Sequence, residues 1–153
     1  MPSVWRSVPH YRQEFPYSCV AACVRMVLAH HGRPMSEADL RQLLGTQPHG
    51  TPARNLLSGA TLGFNVHLGP LNLSLLRDAL VADLPPLVFV DTGPLDYWHT
   101  DCAHVTVVVG IDDTSIALND PFFDTAPQQT SLVGFLQAWA LKAHLAALIR
   151  PRP

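Results

Sequence analysis

The run Gln13–Gly32, QEFPYSCVAACVRMVLAHHG, decides how the rest of the chain is read. A glutamine stands six residues ahead of Cys19, and Cys19 opens a segment in which Val20, Val24, Val27 and Leu28, with Ala21, Ala22 and Met26 between them, predict a largely buried helix. Ser18 is placed to cap it, its hydroxyl accepting from one of the first free backbone N–H groups. Gly32, followed by Pro34, ends it. A thiol in a first helical turn meets the positive end of the helix dipole, which favours thiolate over thiol, and a neighbouring imidazolium favours it further. The Gln13 carboxamide is a neutral donor, suited to the oxyanion that forms when a thiolate attacks a carbonyl. The expectation is a nucleophile at a helix N-terminus. Most cysteines on apolar helices are inert core residues, and Cys23, one turn deeper, is read as one of those.

The 153 residues (1–153) read as a single domain, long enough to bury a proper core. Apolar residues make up 48% and charged residues 14%, the balance of a globular chain rather than a disordered one. Net charge is −2 with histidines neutral and no basic block occurs, so neither nucleic acid nor an anionic membrane is expected as the main partner. The opening MPSVWRSVPHYRQ lacks the continuous apolar core of a signal peptide, and no apolar run reaches membrane-spanning length. Three cysteines make no disulfide framework, which fits a reducing, cytoplasmic setting.

Outward from the decisive stretch, residues 1–12 read as an extended segment with Val4, Trp5, Val8 and Tyr11 packing across the body. Ser36-Glu37-Ala38-Asp39 has the form of a helix start, and Leu40, Leu43 and Leu44 supply an apolar face up to Gly45. GTQPHG is an irregular surface loop, after which Thr51-Pro52 predicts a helix with Thr51 as cap and proline at its first position. Phe64–Leu68 is a short strand, Asn72 or Ser74 begins a helix, Pro85-Pro86 breaks it, and LVFVD (Leu87–Asp91) is a buried strand. The first half is therefore mainly helical. Beyond a loop holding Tyr97, Trp98, His99 and Asp101, HVTVVVGI (His104–Ile111) and Ser115–Leu118 form a hairpin turning at Asp112-Asp113-Thr114. Ser131 caps a helix carrying Leu132, Phe135, Leu136 and Trp139, and His144–Arg150 reads as a last strand, though its alanines and leucines would also suit helix.

A cysteine nucleophile needs a base that becomes a cation beside it and a third group that fixes the base's tautomer and orientation. His104 stands at the start of a strand, where a side chain is rigidly aimed. Asp120, in Asn119-Asp120-Pro121, lies just past the end of the partner strand. The hairpin brings the two side by side. His99 is a rival base on a loop, and Tyr97 and Trp98 either wall a cleft or pack. A metal site on His99, Asp101, Cys102 and His104 lacks any regular ligand spacing, so no metal or cofactor is expected. His30 and His31 are read as complements to the negative helix end, and His10, His49, His67 and His144 carry no visible chemistry.

Gln13, Cys19, His104 in HVTVVVGID and Asp120 in NDP together resemble the papain-like cysteine peptidases, and are most similar to the bacteriocin-processing leader peptidases. The resemblance spans nearly the whole chain and implies an α+β papain-like fold: a helical N-terminal half, nucleophile at a helix N-terminus, packed on a small antiparallel sheet. It implies a stand-alone thiol-dependent peptidase acting through an acyl-enzyme thioester on a peptide or protein substrate, with a precursor peptide or a peptide exporter as partner. Two alternatives stay open: a peptide-binding module without catalysis, and an acyltransferase using the same residues. Where the family usually carries an acid before the cysteine and a glycine after it, this chain has Ser18 and Val20, and Val20 is expected to narrow the space beside the nucleophile.

Overall fold

A computed structural model of the chain describes residues 3–153. In chain order the elements are β1 (Val4–Trp5), α1 (Cys19–His30), α2 (Glu37–Leu44), a 3-10 helix (Ala53–Leu62), β2 (Phe64–Pro70), α3 (Leu73–Val81), β3 (Leu87–Asp91), β4 (Ala103–Ile111), β5 (Ser115–Asn119), β6 (Gln128–Ser131), α4 (Leu132–Ala140) and β7 (Leu145–Pro151). The strands join in one antiparallel sheet, ordered β2-β7-β3-β4-β5-β6, with β1 beside the far end of β4.

Side-chain alternation along the strands splits the core into two layers. On one face Leu87, Val105, Val107, Val109, Ala147 and Ile149 meet α1, α2 and the 3-10 helix; on the other Val88, Val90, Val108, Leu118 and Ala146 meet α3 and α4. Because β3, β4 and β7 are covered on both sides, they read as apolar runs rather than as strict alternation. Gly110 is where β1 crosses closest: a Cβ there would lie 2.7 Å from the Trp5 ring. Among the described residues no helix is long and apolar enough to cross a membrane.

Ser36, Asn72 and Ser131 cap their helices as the sequence predicts, accepting from the N–H groups of Asp39, Leu75 and Gly134. The extended reading of residues 1–12 holds for β1; residues 1 and 2 lie outside the described residues.

Four expectations change. Ser18 occupies the N-cap of α1 but makes no capping bond, because its backbone (φ −105°, ψ 25°) is not in the extended region that aims an N-cap side chain forward. The segment after Thr51 is a 3-10 helix with Pro52 at the cap, while the Thr51 hydroxyl bonds Thr46. Its Gly59 lies against Val66, and Ser58, Gly59 and Thr61 are poor α-helix formers. The strand Gln128–Ser131 has no counterpart in the sequence reading, and it adds an edge to the antiparallel sheet beside β5. Finally, His30 does not simply face the helix end: its Nε2 lies 2.8 Å from Asp83 Oδ1. His31 lies 3.1 Å from the Ile149 carbonyl, with its pKa lowered chiefly by burial.

Candidate active site

Cys19 is the first residue of α1 and half-buried at the edge of a cleft. The first intrahelical bond runs from the Ala22 N–H to the Ser18 carbonyl (3.0 Å), so the N–H groups ahead of it have no partner within the helix. The loop leading into Cys19 is held from α2. Fully buried Glu37 accepts from the Glu14 N–H (2.9 Å) and the Ser18 hydroxyl (3.1 Å) through Oε1, and from Arg41 Nε (2.9 Å) through Oε2. Arg41 also lies over the Phe15 ring, 4.4 Å from its centroid. A buried carboxylate is tolerable only with such partners.

β4 delivers His104, and the chain leaving β5 delivers Asp120. His104 Nε2 lies 2.7 Å from Asp120 Oδ1, both groups buried. The other ring nitrogen is left free of Asp120, and His104 lines the same cleft as Cys19. Burial works against a charge on the ring, but the bond to Asp120, the nearness of Cys19 and the charges of both raise its pKa to about 10. Asp120 is satisfied on every side. Oδ1 also accepts from the Phe122 N–H (3.0 Å), and Oδ2 accepts from the Tyr97 hydroxyl (2.8 Å) and Trp98 Nε1 (2.9 Å). Burial pushes its carboxyl up, but His104 and these donors hold it below the ordinary value. The Trp98 ring stands edge-on to His104, 5.1 Å between centroids, and packs on Phe122 and Phe123, shielding the His–Asp bond from water.

Residues 7–151 match the Peptidase C39 family. The chain belongs to this family. It is 37% identical over 111 residues to an uncharacterized protein of Methanothermobacter marburgensis, covering 72% of this chain and 69% of that one. The crystal structure of the peptidase domain of Streptococcus ComA, a bi-functional ABC transporter of a quorum-sensing pathway, superposes with a TM-score of 0.76 at 25% identity, covering 94% of this chain and 98% of that one. A double-glycine-motif protease from an AMS/PCAT transporter, solved with its leader peptide, superposes with a TM-score of 0.76 at 18% identity over 97% and 94% of the two chains. The α+β architecture is thus the papain-like fold of C39 peptidases, a family of cysteine peptidases.

Within this C39 domain Cys19, His104 and Asp120 come together. Gln13 lies beside them: its N–H donates to the carbonyl of Pro121 (2.7 Å), next to Asp120. Its amide donates one hydrogen to the Phe15 carbonyl (2.8 Å), and an amide carries two. Its Oε1 is buried with no partner among the described residues. Cys23 is a core residue, its thiol 3.4 Å from the Val105 carbonyl and its pKa raised, burial leading. His99, Asp101 and Cys102 are exposed and do not line the cleft, and no cluster of three or more metal-ligating side chains occurs among the described residues.

Tyr97 and Trp98 are more than a wall, since both are donors to Asp120. Glu37 was not foreseen at all. Val20, nearly fully buried, lines the cleft beside Cys19, as do Phe89 and Val105, while His49 and Lys142 bring basic groups to it. Polar-tipped aromatics close to a candidate histidine were the one available sign of the Asp120 cage. No local pattern marks Glu37, His49 or Lys142, which reach the site from separate segments.

Proposed function

We propose that the chain is a thiol-dependent peptidase in which Cys19, His104 and Asp120 act as a catalytic triad on a peptide bond. The observation that carries this reading is that Cys19, first in α1, and His104 line one cleft, with His104 bonded behind to a fully satisfied Asp120. The Cys19 thiolate attacks the carbonyl carbon, forming the S–C bond. The oxyanion is received by the Cys19 N–H and the free hydrogen of the Gln13 amide. The C–N bond then breaks as His104 gives its proton to the leaving amine, which leaves a thioester. His104 next takes a proton from water, whose oxygen attacks the thioester and releases the thiolate. Asp120 holds His104 in the tautomer that faces Cys19. A leader or precursor peptide as substrate is supported by the leader-bound double-glycine protease and by the transporter setting of ComA. A reducing cytoplasm, which keeps a catalytic thiol free, is supported by three unpaired cysteines.

The test has two arms. Cys19→Ala abolishes cleavage of a precursor peptide while circular dichroism stays unchanged; retained cleavage would refute the assignment. In wild type kcat/KM falls as pH rises through about 10, because His104 then loses the proton it must give to the leaving amine. At neutral pH iodoacetamide alkylates Cys19 more slowly in His104→Ala than in wild type, and the two rates converge in alkali, where the thiolate forms unaided.

A further inference from the structure

We propose that the cleft beside Cys19 selects an anionic substrate, with Lys142 binding a carboxylate on a residue next to the scissile bond. This rests on the peptidase reading and adds the chemical class of substrate.

The cleft is about 280 Å³, room for one or two side chains, and Val20, Phe89 and Val105 give it apolar walls. Its ionisable side chains besides Cys19 are His49, His104 and Lys142, and among the described residues no aspartate or glutamate lines it. The nearby carboxylate, Asp120, stands behind His104 with both oxygens already engaged by donors. The Cys19–His104 pair is neutral as a whole, so Lys142 is the cation of the lining that no carboxylate there offsets.

Lys142 is held at its root. Its N–H donates to the Trp139 carbonyl (3.0 Å) and its own carbonyl accepts from the Leu145 N–H (3.1 Å), so the stem leaves from a fixed point after α4. The side chain is half-buried, yet among the described residues no hydrogen bond or ion pair holds its ammonium. Other cations of the chain are engaged: Arg6 with Asp83, Arg12 with Asp124, Arg25 and Arg41 with Glu14. A neutral ligand closing the cleft strips water from the ammonium and offers nothing back, whereas a carboxylate restores the lost interaction and meets a field that apolar walls strengthen. The selectivity thus comes from both sides: attraction for the acid and a desolvation penalty against its amide.

Iodoacetate and iodoacetamide have nearly the same shape and differ in charge, and both report at Cys19 itself. Their rate ratio, followed by peptide mass mapping, is compared in wild type, Lys142→Met and Lys142→Arg. His104 is common to all three and cancels. The ratio of iodoacetate to iodoacetamide is expected to fall about tenfold in Lys142→Met, the effect of one hydrogen bond to a charged group. It should recover in Lys142→Arg and shrink with added salt in wild type. An equal ratio in all three proteins overturns the proposal. The substrate statement is then read from matched peptides carrying Glu or Gln beside the scissile bond: wild type prefers Glu and Lys142→Met does not. Equal cleavage of the pair by wild type overturns the proposal and leaves the peptidase reading standing. Absence of any cleavage, with the alkylation ratio still dependent on Lys142, counts against the peptidase reading and supports the anion-binding cleft.

Discussion

The side chain on which the site turns is Asp120, because it is buried and must remain an anion for His104 to be held as a cation. Burial alone would neutralise it; four donors prevent that, and two of them, Tyr97 and Trp98, converge on Oδ2. Their removal is the sharpest test of the cage. Tyr97→Phe or Trp98→Phe takes away one hydrogen bond to a buried charge and is expected to lower kcat/KM about tenfold, mainly through kcat. The double variant should depart from additivity, since both donors serve the same oxygen. The pH dependence has a definite sign. The folded pKa of Asp120 lies below its unfolded value, so its stabilisation is present above the unfolded value and is lost as pH falls through the folded one. With a donor removed the folded pKa rises, and acid unfolding followed by circular dichroism should begin at higher pH than in wild type. Unchanged kinetics and acid unfolding in both single variants would reduce Tyr97 and Trp98 to packing. These aromatics were visible in the sequence next to His99, but a loop has no period from which the direction of an indole N–H can be read.

Among the elements, α2 governs the geometry of the segment that carries both Gln13 and Cys19, through one residue in its first turn. Glu37 ties that segment at Glu14 and Ser18 and is itself held by Arg41 one helical turn later. Glu37→Ala takes the acceptor from the Glu14 N–H and one bond each from the Ser18 hydroxyl and from Arg41, which keep Phe15 and Glu14 as partners, and is expected to cost about 1–3 kcal/mol in denaturant unfolding. Glu37→Gln keeps one acceptor oxygen and should lose less. A lower kcat in Glu37→Gln, measured well below its unfolding midpoint and with KM little changed, marks Glu37 as a positioning residue. Loss of stability with kcat intact would make it purely structural. Here the limits of reading from sequence are plain. α1, the β4–β5 hairpin and the caps Ser36, Asn72 and Ser131 were legible because period and local hydrogen bonding are written into contiguous residues. The His104–Asp120 pair followed from the hairpin, since a turn converts sequence distance into neighbourhood. β6 was not legible: Gln128, Gln129, Thr130 and Ser131 have no apolar alternation, and pairing with β5 alone makes them a strand. Ser18 departs from the capping expectation because a capping residue type does not determine its own φ and ψ, and one partner of its hydroxyl, Glu37, lies a whole helix away.

For the whole molecule, the sheet is a shared wall between two apolar layers, and this has a consequence for how the fold comes apart. β3 sends Leu87 and Phe89 to the face that packs on α1, and Val88 and Val90 to the face that packs on α3 and α4. Neither layer can lose its sheet without exposing the other, so both faces should unfold in one transition. Each face has its own fully buried reporter: Cys23 in α1, and Trp139 in α4 with its indole N–H bonded to the Leu145 carbonyl (2.9 Å). Cys23 is doubly protected in the native state, by burial and by the raised pKa that burial imposes. Trp139→Phe removes that hydrogen bond and leaves a void, at an expected loss of about 2–3 kcal/mol. If the two layers are one cooperative unit, this substitution on the far face raises the rate at which a thiol reagent labels Cys23 in the native ensemble. It does so by the factor that matches the stability lost in denaturant unfolding, about thirtyfold or more. Peptide mapping separates Cys23 from Cys19 and Cys102, which are open to reagent without unfolding. Labelling of Cys23 that ignores Trp139→Phe, while the denaturation midpoint falls, would mean that the helices of the far face detach on their own. The layer that carries Cys19 would then be stable without them.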